Sequence, residues 1–316
     1  MSSAQWQPGT SLAVLHKRAA LFASIRQFFA SRKVLEVDTP LLSGCFGSDP
    51  CIEPIVASIN SGVGYLQSSP EFFLKRLLAA GSGDIYSLGR AFRNEESGKQ
   101  HNPEFTLLEW YRCGWDEHQL MDEVEELAVA VLDTAPAKRV TYAELFEKAV
   151  GFNPHTASLE QLYQNARHYG DWVACERAAA LDLLFAECVE PTLPAGLVFI
   201  SDFPSSHAAL AQLQQRPGGE TVARRFELYC DGVELANGYL ELTDSVEQEF
   251  RFNRELEQRR SAQLPAAPMD HAFLAALEHG VPDCAGVALG VDRLLMMQLG
   301  VADIDNVQPF SWPRCH

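Results

Sequence analysis

The sequence predicts an α+β fold in which helices pack on an antiparallel β-sheet. Its strand-like runs come in hairpins and meander pairs, without the regular strand–helix alternation of parallel sheets. Two of them, Phe226–Cys230 and Val233–Leu242, flank Asp231-Gly232, a residue pair typical of a two-residue hairpin turn. Amphipathic segments with apolar residues three and four positions apart supply the helices.

Composition limits the functional class. The chain has 316 residues, 47% of them apolar and 21% charged, with a formal net charge of −17, which excludes disordered, collagen-like and fibrous proteins. The acidity argues against a broad non-specific nucleic-acid surface, although net charge leaves a local basic patch open. Neither an apolar run of about 18 residues nor a secretory signal is present, so we expect a cytoplasmic protein without a membrane partner.

The eight cysteines give no metal or redox motif. None forms a CxxC pair, and no HExxH or clustered Cys/His pattern occurs, so zinc ribbons and thioredoxin chemistry are unsupported. We expect free, mostly buried thiols in a reducing compartment.

The elements of the first third follow from periodicity and turn residues. Thr39-Pro40 ends the first strand, and Pro70 suits the first turn of a helix. The predicted elements are a helix at Val14–Lys33, a strand at Val34–Val37, a loop at 43–54, two strands around Gly62 and Gly64, a helix from Pro70 to near Ala80, and strands at Asp84–Phe92 and Glu104–Arg112.

The remaining elements frame a less regular segment. Residues 134–220 hold short helices and a strand at Leu197–Ile200, and we interpret them as an insertion between two halves of one core. We predict a single catalytic domain over residues 14–316, preceded by a tail of residues 1–13. The further predicted helices are Asp116–Leu132, Asp244–Arg260, Met269–Glu278 and Val291–Leu299.

A first group of polar residues surrounds the predicted hairpin near residue 100. Phe105, Glu109 and Tyr111 share one strand face, and Arg93 and Glu95 lie on the opposite arm. A guanidinium suits a phosphate, and an aromatic face suits a purine base. An edge strand with solvated charges would explain Glu109 alone but explains the whole string poorly.

A second group lies on the hairpin near residue 235. Asn237, Tyr239 and Glu241 share strand parity, whereas Glu234 needs a bulge near Leu235 to reach the same face. Carboxylates on adjacent strands suit Mg²⁺. On spacing alone, a half-buried strand with outward glutamates explains the pattern equally well.

A third group is the glycine-rich strand 286–290 and the start of the helix after it. Glycines allow close approach of a ligand to the backbone. Arg293 falls in the first helical turn, where the helix dipole disfavours a cation, which suggests that it serves an anionic ligand. Tight packing between helix and strand is the alternative.

Together these strings resemble the class II aminoacyl-tRNA synthetases from residue 14 onward. The first helix with VLEVDTP resembles motif 1, FRNEE…HNPEFTLLEWY motif 2, and GVALGVDRL motif 3. HNPEFT and ELANGYLEL are similar to the lysyl subgroup. The resemblance implies a class II core and a homodimer through Val14–Pro40, with an ordinary core helix as the alternative.

Two features of the sequence indicate which members of the lysyl subgroup the chain resembles. About a dozen residues precede the first catalytic helix, too few for the anticodon-binding domain of lysyl synthetases, so we expect no binding of a tRNA anticodon. The chain resembles the paralogues that attach (R)-β-lysine to elongation factor P. Ala288 stands where lysyl synthetases usually have glycine, and in the paralogues this alanine accompanies the shift from α- to β-amino substrate. A methyl difference discriminates by about 1–3 kcal/mol.

The resemblance also implies roles for individual residues, with ATP and Mg²⁺ as cofactors. Arg93 and Arg293 would be catalytic through the phosphates. ATP would be bound by Arg93, Asn94, Glu95, His101, Asn102, Phe105, Glu234, Leu235, Gly290 and Arg293. The amino acid would be bound by Ser69, Pro70, Glu71, Glu109, Tyr111, Asn237, Glu241 and Ala288, and the metal by Glu227 and Glu234.

The charge of the predicted pocket agrees with a diamino acid. Glu71, Glu109 and Glu241 are acidic, and a lysine isomer brings two ammonium groups. Two other functions remain open: a free-standing lysyl-tRNA synthetase core that uses α-lysine, and a non-catalytic regulatory paralogue. The latter usually loses the arginines of motifs 2 and 3, which are present here as Arg93 and Arg293.

Overall fold

The structure, a computed structural model, describes residues 6–60, 62–94, 97–170 and 176–315. Its contacts divide the chain into two compact units. One comprises Met1–Trp115, Thr243–Cys284 and Ala288–His316, and the other Asp116–Leu242 and Ala285–Val287. A single catalytic domain over residues 14–316, with a tail at residues 1–13, stays a prediction.

The described residues form helices and strands in mixed order. The helices are α1 Leu12–Ser31, α2 Glu71–Ala79, α3 Glu117–Leu132, α4 Tyr142–Val150, α5 Leu159–Ala166, α6 Arg177–Leu184, α7 Ser245–Ser261, α8 His271–Gly280 and α9 Val291–Leu299. The strands are β1 Leu35–Glu36, β2 Leu42–Ser43, β3 Ile55–Ile59, β4 Gly62–Leu66, β5 Ile85–Phe92, β6 Glu104–Cys113, β7 Lys138–Thr141, β8 Leu197–Pro204, β9 Leu213–Gln215, β10 Thr221–Cys230, β11 Val233–Leu240 and β12 Cys284–Gly290.

Antiparallel pairing dominates both units. In the first, β5 pairs antiparallel with β6 from Ile85↔Tyr111 to Phe92↔Glu104, β1 joins β5 in parallel, and β2, β4 and β3 form a small antiparallel sheet. In the second, the order is β11-β10-β8-β7 with β9 also on β10, and β7 and β8 form the parallel pair. The predicted α+β class, with helices flanking an antiparallel sheet, is confirmed.

Most predicted elements are confirmed with shifted ends. The helix predicted at Val14–Lys33 begins at Leu12, because the hydroxyl of Ser11 accepts a hydrogen bond from the Val14 N–H at 3.3 Å and caps it. The predicted strand at Val34–Val37 is shorter, with only its two central residues paired. The short strands β7 and β9 were not predicted, because their mostly polar sequences KRVT and LQQ lack an apolar alternation.

The segment predicted to be least regular has an apolar core of its own. Tyr142 stacks on Phe185 with ring centres 4.8 Å apart and lies 5.2 Å from Phe203. Buried residues from α4, α5, α6 and β8 complete this cluster. The described part of residues 134–220 therefore contains short helices and the strand β8, as predicted, and these elements pack around aromatic side chains, which sequence periodicity alone did not predict.

A buried ionic network joins three elements of the first unit. Arg18 of α1 donates to the Asp292 carboxylate at 2.6 Å and to the Thr106 hydroxyl at 2.6 Å. The Thr106 N–H donates to the other oxygen of Asp292, also at 2.6 Å. The network fixes α1, β6 and α9 to one another, and with them the segments resembling the three motifs.

The predictions from composition were partly right. All seven cysteines that the structure describes are free, as predicted, but only Cys230 and Cys284 are buried, while Cys51 and Cys315 are exposed. The expectation of mostly buried thiols is therefore wrong for the described cysteines, because several lie in loops and at the chain end. No helix in the described ranges is both long and apolar enough to cross a membrane.

The network predicts a large difference between two arginine substitutions on α1. Arg18→Met leaves the Asp292 carboxylate, 3% exposed, without its cation, so we expect a loss of about 3–5 kcal/mol in the free energy of unfolding. Arg26→Met breaks a surface pair with Glu36, whose side chains are 49% and 41% exposed, and should cost under about 1 kcal/mol. Chemical denaturation measures both, and equal losses would contradict the assigned importance of the network.

Candidate active site

The loop between β5 and β6 places a cation beside an aromatic ring. The Arg93 N–H donates to the Pro103 carbonyl at 3.0 Å, which closes the base of the loop. The Arg93 guanidinium carbon lies 5.2 Å from the centre of the Phe105 ring. Asn94 is exposed, with its N–H bound to the Glu53 carbonyl at 2.9 Å, and Glu95 lies outside the described residues. The pair Arg93–Phe105 thus presents a permanent charge and a flat apolar face together.

The first turn of α9 brings a second cation to the same loop. Arg293 contacts the His101 ring nitrogen Nε2 through its own Nη2 at 2.6 Å, and its Nε approaches the Gln100 carbonyl at 3.5 Å. Gly290 directly precedes α9, where backbone N–H groups have no intrahelical acceptor. Arg93 and His101 therefore lie in the loop between β5 and β6, Phe105 lies at the start of β6, and Arg293 lies at the start of the neighbouring α9.

Asn102 has a structural role in this loop. Its side-chain oxygen accepts from the Trp312 N–H at 2.8 Å, and its nitrogen donates to the Glu104 carbonyl at 2.7 Å. The residue is only 6% exposed. These bonds hold the loop to the C-terminal segment, and a direct contact of Asn102 with ATP stays a prediction.

A buried glutamate is held by two hydroxyl groups in the first unit. Ser69 donates to Glu109 Oε2 at 2.7 Å, and Tyr111 donates to Glu109 Oε1 at 2.9 Å. The Ser69 oxygen also accepts from the Glu71 N–H at 3.0 Å, while Pro70 occupies the N-cap position of α2. The structure therefore brings together Ser69, Pro70, Glu71, Glu109 and Tyr111, and their contact with an amino acid stays a prediction.

Lys75 was not predicted at this site. Its ammonium donates to Glu71 Oε1 at 2.6 Å, and its side chain is fully buried. The predicted acidity of the pocket is thereby reduced by one charge. Because an i,i+4 Glu–Lys pair is typical of an exposed helix surface, this spacing does not indicate a buried lysine.

The hairpin of the second unit carries the predicted bulge. Leu228 pairs with Ala236 and Tyr229 with Glu234, so Leu235 is the extra residue on β11. The shift brings Glu234 to the face that also carries Asn237. The prediction of a bulge near Leu235 is confirmed, and Glu234 shares a face with Glu227, which pairs with Asn237.

Arg225 is a second residue that the sequence analysis missed. Its guanidinium forms an ion pair with Glu227, donates to the His207 carbonyl at 3.0 Å, and lies 4.7 Å from the centre of the Phe203 ring. Burial lowers the pKa of Arg225, but the nearby Glu227, Tyr239 and Glu234 raise it above its usual value overall. Arg225 therefore remains a cation, and residues of the 134–220 segment hold it in place.

Tyr229 completes the hydrogen bonding of Glu227. Its hydroxyl donates to Glu227 Oε2 at 2.9 Å. Burial and the charges of Glu227 and Glu234 raise the pKa of Tyr229 well above its usual value. The hydroxyl keeps its proton over the physiological range and acts as a donor to the carboxylate.

The other predicted residues of the second unit lie close by in sequence and register. The buried side-chain oxygen of Asn237 has no hydrogen-bond partner in the described part of the chain, so it can accept from a ligand. Glu241 is 1% exposed. Gly238 lies so close to its neighbours that an added Cβ would stand 2.4 Å from the Phe226 ring. Ala288 of β12 belongs to the first unit and is half-buried.

The hairpin offers two carboxylates, a small number of ligands that is still compatible with Mg²⁺. The described residues contain no group of three or more metal-ligating side chains. Mg²⁺ often uses only one or two carboxylates together with phosphate oxygens and water. Glu227 and Glu234 supply that number from one face, although a metal there would share Glu227 with Arg225.

Comparison with known proteins identifies the class. The model of the family "tRNA synthetases class II (D, K and N)" matches residues 5–314. The chain belongs to this family, which confirms the resemblance drawn from the three motifs.

Individual relatives narrow the class. An elongation factor P–(R)-β-lysine ligase from Pseudoalteromonas translucida is 49% identical over 99% of this chain and 100% of its own. Proteins of the same name from Vibrio cholerae and Erwinia tasmaniensis are 46% and 45% identical over 99% of this chain, covering 100% and 99% of their own lengths. The chain is therefore similar to these ligases along nearly its whole length.

Proposed function

We propose that the chain is an ATP-dependent ligase that activates (R)-β-lysine as an adenylate and transfers it to the ε-amine of a lysine on elongation factor P. The observation that carries this proposal is the similarity of 45–49% identity, over nearly full length, to proteins named for that reaction. Such a ligase acts beside the translation machinery, in the cytoplasm.

The first step is attack of the substrate carboxylate on the α-phosphate of ATP. It forms the β-lysyl adenylate and releases pyrophosphate. Negative charge spreads over the phosphate oxygens in the transition state, and fixed guanidinium groups stabilise it. Arg93 and Arg293 are the cations for this role, and Phe105 beside Arg93 offers a face for the adenine base.

The amino groups of the substrate require carboxylates. Glu109, fixed by Ser69 and Tyr111, and Glu71 at the start of α2 are such groups in the first unit. Glu241 and the unpartnered oxygen of Asn237 are acceptors in the second. Their chemistry favours a diamino acid over an acidic or apolar one.

The second step is aminolysis of the adenylate. The neutral ε-amine of the acceptor lysine attacks the acyl carbon, an amide forms, and AMP leaves. The ordinary pKa of a lysine is about 10.4, so the amine must lose a proton before or during the attack.

Bound Mg²⁺ would neutralise phosphate charge in the first step, with Glu227 and Glu234 as its protein ligands.

We also propose a homodimer through Val14–Pro40. α1 buries Leu21, Ile25 and Phe29 on one face. Leu12, just before this segment, and Leu35, within it, are 72% and 54% exposed. Apolar residues at those places suit a contact with a second copy of the chain.

ATP–pyrophosphate exchange tests the activation step. We expect exchange with (R)-β-lysine to exceed exchange with L-α-lysine, because the relatives are named for the β-isomer. Arg93→Met should lower exchange by about 10²-fold or more, whereas Arg90→Met, on the same hairpin but in a half-exposed pair with Glu104, should retain it.

Exchange confined to α-lysine would favour a lysyl-tRNA synthetase core instead. No exchange with either isomer, from folded protein that still binds ATP, would favour a non-catalytic paralogue.

Ala288→Gly should weaken the preference for the β-isomer. A difference of one methyl changes discrimination by about 10- to 200-fold. The ratio of kcat/KM for (R)-β-lysine over kcat/KM for L-α-lysine should therefore decrease by a factor in that range. Ala285→Gly removes a methyl from the opposite face of the same strand and is the matched control. An unchanged ratio in Ala288→Gly would show that this methyl does not select the substrate.

A further inference from the structure

The first unit buries a lysine directly behind a proposed substrate carboxylate. Lys75 lies one turn after Glu71 on α2, and its ammonium is 2.6 Å from Glu71 Oε1. Its side chain is 0% exposed, whereas that of Glu71 keeps 19% exposure. The cation is thus inaccessible, and its partner carboxylate can be reached.

The surroundings of Lys75 are aromatic. Its ammonium lies 5.9 Å from the centre of the Phe273 ring, which stacks on Phe72 at 4.5 Å. Phe252 packs against both rings. Lysine is almost never fully buried unless it is paired, as Lys75 is with Glu71, and replacing a buried ion pair by well-packed apolar residues is often neutral or stabilising. A buried cation here therefore points to a requirement other than packing.

Glu71 is held both at its backbone N–H and at its side-chain carboxylate. Its N–H donates to Ser69 Oγ at 3.0 Å, and the same hydroxyl donates to Glu109. Its carboxylate is held by Lys75. Because Glu109 is only 2% exposed and Glu71 is more open, an incoming ammonium reaches Glu71 more readily. A carboxylate has two oxygens, so it can accept from Lys75 and from a substrate ammonium together.

We propose that Lys75 is a positioning residue for amino-acid binding, which orients the Glu71 carboxylate toward an ammonium group of the substrate. The inference rests on the proposed function, since it assigns Glu71 to the substrate of that reaction. It predicts that Lys75 acts on the affinity for the amino acid through Glu71, with little effect on ATP.

Steady-state ATP–pyrophosphate exchange with Lys75→Met tests the inference. We expect KM for (R)-β-lysine to rise about tenfold or more, the loss of one well-placed charged contact, with KM for ATP nearly unchanged. Arg76→Met removes the neighbouring, exposed cation of the same helix and should leave both KM values unchanged. A role in packing alone would lower the melting temperature of Lys75→Met without this selective rise in KM.

A double-mutant cycle separates the remaining outcomes. If Lys75 acts through Glu71, the variant Glu71→Gln/Lys75→Met should have the same KM for β-lysine as Glu71→Gln alone. The double variant carries no buried charge from this pair, so it keeps the comparison open if Lys75→Met does not fold. A further rise of KM in the double variant, or an unchanged KM in Lys75→Met, would overturn the inference. Absence of exchange in the parent chain would instead reject the proposed function, and the inference with it.

Discussion

The buried carboxylate of Asp292 is the contact on which the proposed ATP site depends. It accepts from Arg18 and from the Thr106 N–H, both at 2.6 Å, and so joins α1, β6 and α9. Thr106 directly follows Phe105, and Asp292 directly precedes Arg293. The ring and the cation proposed for ATP are therefore each next in sequence to a member of the same buried network, Thr106 or Asp292. A shift of this carboxylate would displace both.

The glutamates proposed to bind the substrate or the metal are themselves held by neighbouring side chains. Glu109 is held by Ser69 and Tyr111, and Glu71 by Lys75. In the other unit, Arg225 and Tyr229 hold Glu227. Groups fixed in this way need little reorganisation when a charged ligand arrives. The acidic count of the sequence thus overstates the negative charge around these groups, because Lys75 offsets one glutamate in the first unit and Arg225 offsets one in the second.

The sequence predicted what local patterns encode. The fold class followed from hairpin signals, and the bulge at Leu235 followed from the parity mismatch between Glu234 and Asn237. Local patterns did not predict the ion pair between Arg18 and Asp292, because these residues are 274 positions apart in the sequence. Lys75 was missed because its spacing from Glu71 also fits a solvated helix face, and Arg225 because burial of a strand cation depends on the distant Phe203 and His207.

The most direct test of the proposed ligase function is transfer to the acceptor protein. Purified elongation factor P would be incubated with the chain, ATP and (R)-β-lysine, and its intact mass measured alongside released AMP. The proposed function predicts a gain of one β-lysyl group on a single lysine, dependent on ATP. An unmodified acceptor, under conditions where the chain forms the adenylate and releases pyrophosphate, would contradict the proposed ligase function.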